Sequence, residues 1–249
     1  MKKGLLYTHT NENLKAIIEG LNLKNLESGS CLAVGGSGDQ SFAILEYVND
    51  IAVVDINSFQ IDLIKERVNL INNGDFSSFL NPQIKNKNLS RLYPIINYRN
   101  LINRNKYFSE ENKLSNIRHK LNKMKIYHED ILNFNGKFDF IYLSNIMSWK
   151  IKYDTKFSLN LAFLKLSENL NKNGLLYISD LDIVSNNKRM NGKYSKYLWK
   201  IIPLKTRLNK IKEQEFLPNN IIYEEELSTK AQKFDSNMQV SGIYRKIVL

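Results

Sequence analysis

The 249-residue chain carries 36 Lys and Arg against 25 Asp and Glu, a net charge of +11, and its 43% apolar and 11% aromatic residues are ample for a folded core. Global disorder is excluded on that content, and the length suits one α/β domain with an elaboration. No run of about 18 apolar residues exists to span a bilayer, the apolar centre of a signal peptide is missing after Lys2-Lys3, and the single Cys31 points to a reducing cytoplasm.

Leu14, Ile17, Ile18 and Leu21 recur at helical spacing, and residues 10–28 read as a short amphipathic helix. Cys31–Val34 reads as the first strand, Gly35–Gly38 as a tight turn, and Asp39 to about Val48 as a crossover helix with Phe42, Ile44 and Leu45 inward. Ile51–Val54 is the second strand. Ser58 is the expected N-cap of a helix carrying Ile61, Ile64, Val68 and Ile71 on one face and stopping at Asn72-Asn73-Gly74. Residues 75–124 are polar, Asn-rich and basic, and read as a helical insertion with patches at Leu89–Leu101 and Leu114–Leu121.

Strands resume at Lys125–His128 and Phe138–Leu143. A helix over 156–171 is expected to stop at Asn171-Lys172-Asn173-Gly174 before a strand at Leu175–Ser179. A basic helical stretch at about 185–215 precedes two last strands, Asn220–Tyr223 and Gly242–Leu249. This alternation predicts an α/β, doubly wound, Rossmann-like sheet in a single domain spanning 1–249.

The positive charge is uneven. Residues 81–125 hold only Glu110 and Glu111 as acids, and residues 185–212 hold none. The second stretch interleaves cations with Tyr194, Tyr197 and Trp199, a mixture suited to an anionic membrane surface or to RNA. A solvated helix face reads equally well, and no DNA partner is expected.

The Gly35–Gln40 turn sits between a strand and a helix, and Asp55 closes the next strand, which is the pattern of a nucleotide-binding βαβ unit. A dinucleotide fingerprint needs a third glycine where Ser41 stands. A ligand without a pyrophosphate fits better, and S-adenosylmethionine is the expected one. Asp55 is placed to accept ribose hydroxyls, with Ile56 and Asn57 beside the adenosine, or is simply an acid that ends the strand. Asp130 follows the third strand, as an acceptor for an adenine amine or as a cap for Ile131–Phe134. Ser144 and Asn145 leave the fourth strand, to meet the reacting end of the cofactor or to cap a turn. Tyr142 and Trp149 read as pocket wall or core.

Three segments together carry a resemblance: Gly36-Ser37-Gly38-Asp39-Gln40; Val54-Asp55-Ile56-Asn57 with Gln60 and Lys65; and Leu143-Ser144-Asn145-Ile146 with Trp149. Over about 30–70 and 125–180 the chain resembles class I S-adenosylmethionine-dependent transferases. The relatives in question are those of the enzyme that moves a 3-amino-3-carboxypropyl group onto diacylglycerol in betaine-lipid synthesis. The resemblance implies a class I methyltransferase-type fold and S-adenosylmethionine as group donor. Together with the strand-edge reading of Gly35 and Asp130, it leads us to expect donor contacts from Gly35, Gly36, Ser37, Gly38, Asp39, Gln40, Asp55, Ile56, Asn57, Asp130, Ser144 and Asn145. Methyl and aminocarboxypropyl transfer, to a small molecule or a lipid, both remain open.

Two departures stand out. Leu32 and Ala33 occupy positions where an acid often anchors the methionine amine, so Asp39 inherits that duty or serves as the helix N-cap. Ser148 precedes Trp149 where an acid is frequent. Ser144, Asn145 and Tyr153 are the catalytic candidates, with His128 and Asp154 as further possible bases; no metal is needed. An NAD-dependent oxidoreductase and a non-catalytic RNA- or membrane-binding protein are the competing readings.

Overall fold

A computed structural model describes residues 7–25, 28–81, 94–147, 150, 158–179, 217–234 and 241–247, with the backbone alone at 94–99. The chain packs as two compact units, Met1–Ile18 with Leu23–Phe134, and Glu19–Asn22 with Asn135–Leu249.

In the first unit β1 (Ser30–Val34), β2 (Asp50–Asp55) and β3 (Met124–His128) run parallel. Cys31, Leu32 and Ala33 of β1 and Ile51 to Val54 of β2 are all buried. Strands covered on both faces read as continuous apolar runs, which is why they stand out in the sequence. The register sets Val34 opposite Val54 and Asp55 opposite His128, so the loop after β1 and the ends of β2 and β3 share one edge.

The helix expected within 10–28 is shorter, α1 (Leu14–Gly20), because Asn22 turns left-handed (φ 54°) and only a single 3₁₀ turn, Leu23–Asn25, follows. The crossover helix α2 (Asp39–Leu45) is buried along its whole length. In α3 (Ser58–Asn72) the cap is Asn57, not Ser58: Asn57 is extended and its Oδ1 accepts the Phe59 N–H at 3.0 Å. Ile61, Ile64 and Ile71 of the expected face are buried, but Gln60 and Arg67 are buried beside them and Val68 is only half-buried.

The insertion is helical, as α4 (Phe76–Leu80), α5 (Pro94–Phe108) and α6 (Lys113–Lys120). Proline at the first position of α5 loses no intrahelical donor. Phe79 meets Phe42 and Phe108 edge-on at 5.7 and 5.1 Å, seating α4 and α5 against α2. Several of the insertion's cations turn inward. Lys113 Nζ lies 3.0 Å from Glu46 Oε2 and 4.3 Å from the Tyr107 ring centre. Lys120 Nζ donates to the carbonyls of Glu46 and Val48, which α2 leaves open at its end.

In the second unit β4 (Phe138–Tyr142) and β5 (Leu170–Ile178) are parallel, and β7 (Gly242–Lys246) lies antiparallel to β5 and to β6 (Ile221–Tyr223). Asn171–Gly174 is not a turn ahead of a strand but part of β5. Leu170 faces Phe138 and Leu175 faces Phe140, so the strand absorbs the intervening residues as an irregularity with Asn173 left-handed (φ 62°). The helix α7 (Leu159–Asn169) therefore runs directly into β5. A further helix, α8 (Glu225–Phe234), was not expected. Ser228 ties it to β7, accepting the Ile243 N–H at 3.0 Å and donating to the Glu224 carbonyl at 2.7 Å. The basic segment at 185–215, Trp149, Tyr153 and Asp154 lie outside the described residues.

The strand order is β3-β2-β1-β4-β5-β7-β6. With right-handed crossovers, an order that runs outward in two directions places helices on both faces. The fold is α/β, doubly wound and Rossmann-like. No described helix is long and apolar enough to cross a membrane.

Candidate functional site

The loop between β1 and α2 is set by backbone bonds, from Gly35 N–H to the Val54 carbonyl and from Gly38 N–H to the Gly35 carbonyl, each 2.8 Å. Its first two glycines do different work. A Cβ on Gly35 would lie 2.9 Å from Ile64 Cδ1 and 3.0 Å from Asp55 Cβ, so any side chain there must displace Ile64 and crowd Asp55. A Cβ on Gly36 (φ 50°) would meet nothing within 4 Å among the described residues: the bend leaves open space over its backbone there.

Asp55 fastens this bend. Its Oδ2 accepts the Gly36 N–H and its Oδ1 accepts the Asn57 N–H, both at 2.8 Å. Each carboxylate oxygen retains a second lone pair. Burial pushes the Asp55 carboxyl above its ordinary pKa of 3.8, against the two amide bonds and the charge of His128. Gln60, buried and unremarked as a binding residue except in the resemblance, completes the clamp. Its Nε2 donates to the Gly36 carbonyl (2.5 Å) and the Tyr7 carbonyl (3.0 Å), and its Oε1 accepts the Tyr7 N–H at 3.0 Å. Beside it, Ile56 and Phe59 are exposed at 41% and 48%, an apolar surface next to the carboxylate. His128 Nε2 lies 3.1 Å from the Ile56 carbonyl.

Asp39 corrects the expectation placed on it. It is fully buried and both oxygens are taken. Oδ1 accepts from Arg67 Nη1 at 2.9 Å and Arg104 Nε at 2.7 Å, while Oδ2 accepts the Thr10 N–H at 2.8 Å and the Ser37 Oγ–H at 3.0 Å. A carboxylate so saturated cannot also grip a ligand's amine, and the N-cap of α2 is Gly38, without a side-chain bond. Burial raises its pKa, but the Arg104 and Arg67 guanidiniums outweigh burial and hold it below 3.8. Ser37 is likewise inward, its carbonyl bonded by Arg67 Nη1 at 2.5 Å. The Arg67 Nη2 donates to the Thr8 carbonyl at 2.5 Å. Gln40 is buried as well, and its Oε1 has no hydrogen-bond partner among the described residues.

Asp130 lies just beyond β3, after Glu129 N–H bonds the Asp55 carbonyl at 3.1 Å. Its Oδ1 accepts the Leu132 N–H at 3.1 Å, so it shapes the turn that follows. Gly35–Gly38, Asp55, Ile56, Asn57 and Asp130 thus gather at one strand edge of the first unit. Sequence reasoning missed Arg67 and Arg104 entirely. The available signal for Arg67 was its i+3 spacing from Ile64; Arg104 offered none.

In the second unit Ser144 and Asn145 leave β4 half-buried. Ser144 is left-handed (φ 52°), a costly conformation for a residue other than glycine. Its carbonyl accepts the Ser179 N–H at 3.1 Å. Tyr142 is fully buried against Tyr177, ring centres 5.6 Å apart, and belongs to the core rather than to a pocket wall.

No family model matches the sequence, and no curated protein matches it. Among solved structures the chain is similar to the N-methyltransferase NodS from Bradyrhizobium japonicum in complex with S-adenosyl-L-homocysteine, at 12% identity and a TM-score of 0.44, over 94% of this chain and 85% of that one. It is similar to the putative methyltransferase YhhF from Escherichia coli at 10% identity and a TM-score of 0.47, over 95% and 86%. It is also similar to the ribosomal protein L11 methylase from Lactobacillus delbrueckii at 12% identity and a TM-score of 0.44, over 94% and 77%. The likeness is one of fold alone.

Proposed function

We propose that this chain is an S-adenosylmethionine-dependent transferase that moves a methyl group to a small-molecule nucleophile. The observation that carries the reading is the Gly36 bend, whose backbone is open to space and held by Asp55 and Gln60. Its position at a strand edge suits an adenosine-bearing ligand without a pyrophosphate. The donor supplies a sulfonium whose attached carbons are electrophilic. The chain's own part is placement. Asp55 would accept ribose hydroxyls through its remaining lone pairs, Ile56 would lie against the adenine, and Gly36 would let the methionine portion approach the backbone. Ser144 and Asn145 are the polar groups we assign to the reacting end.

Aminocarboxypropyl transfer is the second reading, favoured by the likeness of Leu143-Ser144-Asn145-Ile146 and the Asp55-Ile56-Asn57 strand end to that family. Incubation with S-adenosylmethionine and a metabolite extract, followed by mass spectrometry, separates the two. S-adenosylhomocysteine reports methyl transfer, and methylthioadenosine reports the alternative. A lack of any thermal shift with S-adenosylmethionine or S-adenosylhomocysteine overturns both.

Two consequences are testable directly. Gly36→Ala forces a left-handed alanine at a cost of about 1 kcal/mol, yet its methyl enters the open space above the bend. Calorimetry is expected to show a stable protein with at least tenfold weaker S-adenosylhomocysteine affinity. The second concerns pH. Only an ionised Asp55 accepts two hydroxyls, and its pKa is raised above 3.8, so affinity falls as acidification passes that raised value. The free protein responds in the opposite sense. A carboxyl with a raised folded pKa favours folding when protonated, and that contribution is lost as pH rises through the folded value. Titrating affinity and melting temperature together between neutral pH and mild acid should show the two moving apart.

A further inference from the structure

We propose that Arg104, delivered by the insertion helix α5, is a positioning residue for the donor-binding bend and acts through Asp39. The inference rests on the transferase reading above and assigns the insertion a part in that site. Three observations carry it.

Ser37 is the residue between the two left-handed glycines, Gly36 and Gly38. Its hydroxyl and its carbonyl are held by the same cluster: the Asp39 carboxylate takes the hydroxyl, and Arg67 donates to the carbonyl. The bend is therefore not free to choose its shape; it follows the place of Asp39.

Asp39 in turn is set by Arg104, the shorter of its two ion pairs at 2.7 Å. Arg104 is itself fixed on every side. Its Nη2 donates to the Phe79 carbonyl at 3.0 Å, its Nη1 donates to Asn105 Oδ1 at 2.8 Å, and its guanidinium lies over Phe79 and Phe108 at 4.4 and 5.3 Å from the ring centres. A planar fork meets a carboxylate, a carbonyl and an aromatic face simultaneously, which a lysine ammonium cannot do.

The same carboxylate also holds the segment before α1. Thr10 N–H bonds Asp39 Oδ2, and Asn100 Nδ2 of α5 donates to the Asn11 carbonyl at 3.4 Å. Residues 8–11 and α5 are thus joined to each other and to the bend. Filling the bend with donor must restrain all three, and loosening α5 must loosen the bend.

The test uses the full chain and S-adenosylhomocysteine as probe, with calorimetric affinity and amide hydrogen exchange as readouts. In the unaltered protein, S-adenosylhomocysteine is expected to slow exchange in 100–108 as well as in 35–39. Arg104→Lys, measured well below its melting temperature, is expected to bind at least tenfold more weakly and to lose the slowing in 100–108. Arg104→Met leaves Asp39 paired with Arg67 and places an apolar side chain between Phe79 and Phe108, so it supplies a second folded variant with the same expected loss of affinity. A purely structural Arg104 would lower the melting temperature and leave affinity of the folded protein unchanged; that result overturns the proposal. If neither variant folds, exchange in the unaltered protein decides, and slowing confined to 35–39 overturns it. Absence of binding by the unaltered protein refutes the transferase reading itself, and this inference with it.

Discussion

Asp55→Ala is expected to give a folded protein whose melting temperature no longer responds to S-adenosylhomocysteine. The carboxylate receives two backbone amides, from Gly36 and Asn57, and charge-assisted bonds of this kind are worth about 1.5–3 kcal/mol each. Part of that is offset in the free protein, because the carboxylate is desolvated at a cost that shows in its raised pKa. In the bound state the ribose hydroxyls would compensate that desolvation. Loss of two ribose contacts together with the clamp on Gly36 corresponds to a hundredfold or greater fall in affinity, about 2.7 kcal/mol or more. Asp55→Asn makes the companion measurement: one oxygen remains to accept an amide, and the new NH₂ group opposes the other. Its affinity should lie between the two. Titration calorimetry on both variants checks the ordering, and undiminished binding by Asp55→Ala removes this residue from the site.

Asp39→Ala acts on stability instead. It leaves the Arg67 and Arg104 guanidiniums, each at most 2% exposed, without a carboxylate. Breaking a buried pair in this way costs about 3–5 kcal/mol, a large share of the roughly 5–15 kcal/mol that holds a domain together. At about 2–4 °C per kcal/mol for a chain of this size, the melting temperature should fall by about 10 °C. Adding Arg104→Met removes one of the two stranded charges, so the double variant is expected to be more stable than Asp39→Ala alone. A double-mutant cycle by thermal melting measures that coupling. The pH dependence is opposite in sign to that of Asp55. The folded-state pKa of Asp39 is lowered, so its contribution is complete above 3.8 and is lost as pH falls through the lower folded value. An Asp39→Ala protein that melts with its parent would show that the two arginines need no counter-ion.

The contrast between these carboxylates marks how far the amino-acid order could be read. Asp55 was legible because its surroundings are local: an apolar strand ends on it, and the glycine turn lies one crossover away. The parallel strands β1 and β2 were legible because burial on both faces makes them apolar throughout. The partners of Asp39 were not, since nothing in the spacing says that an arginine 65 positions later returns to it. The same non-locality hid the start of β5. Asn171-Lys172-Asn173-Gly174 has the composition of a turn, and only the pairing of Leu170 with Phe138 shows that the strand has begun. The helix α8 escaped because its buried face is thin, with Leu227 and Ala231 joined by Ser228 and Gln232. At Asn57 and Ser58 both residues are good caps, and the choice fell to the one whose side chain reaches the Phe59 amide.

The Gly36 bend has a consequence for the order in which the molecule takes shape. Its carbonyl waits for Gln60, Ser37 waits for Arg67, and Asp39 waits for Arg104, partners 24, 30 and 65 residues further along. Contacts of such separation carry a loop-closure cost and form late. During synthesis the βαβ unit can pair its first strands long before Arg104 has left the ribosome, and until then Asp39 has at most one cation. A fragment ending after α3 would own every glycine of the bend together with Asp55, Gln60 and Arg67, and would lack only the Arg104 partner of Asp39. On the proposed role of Arg104, competence to bind is therefore a late event in the folding of the first unit, reached only when the insertion has closed on the loop.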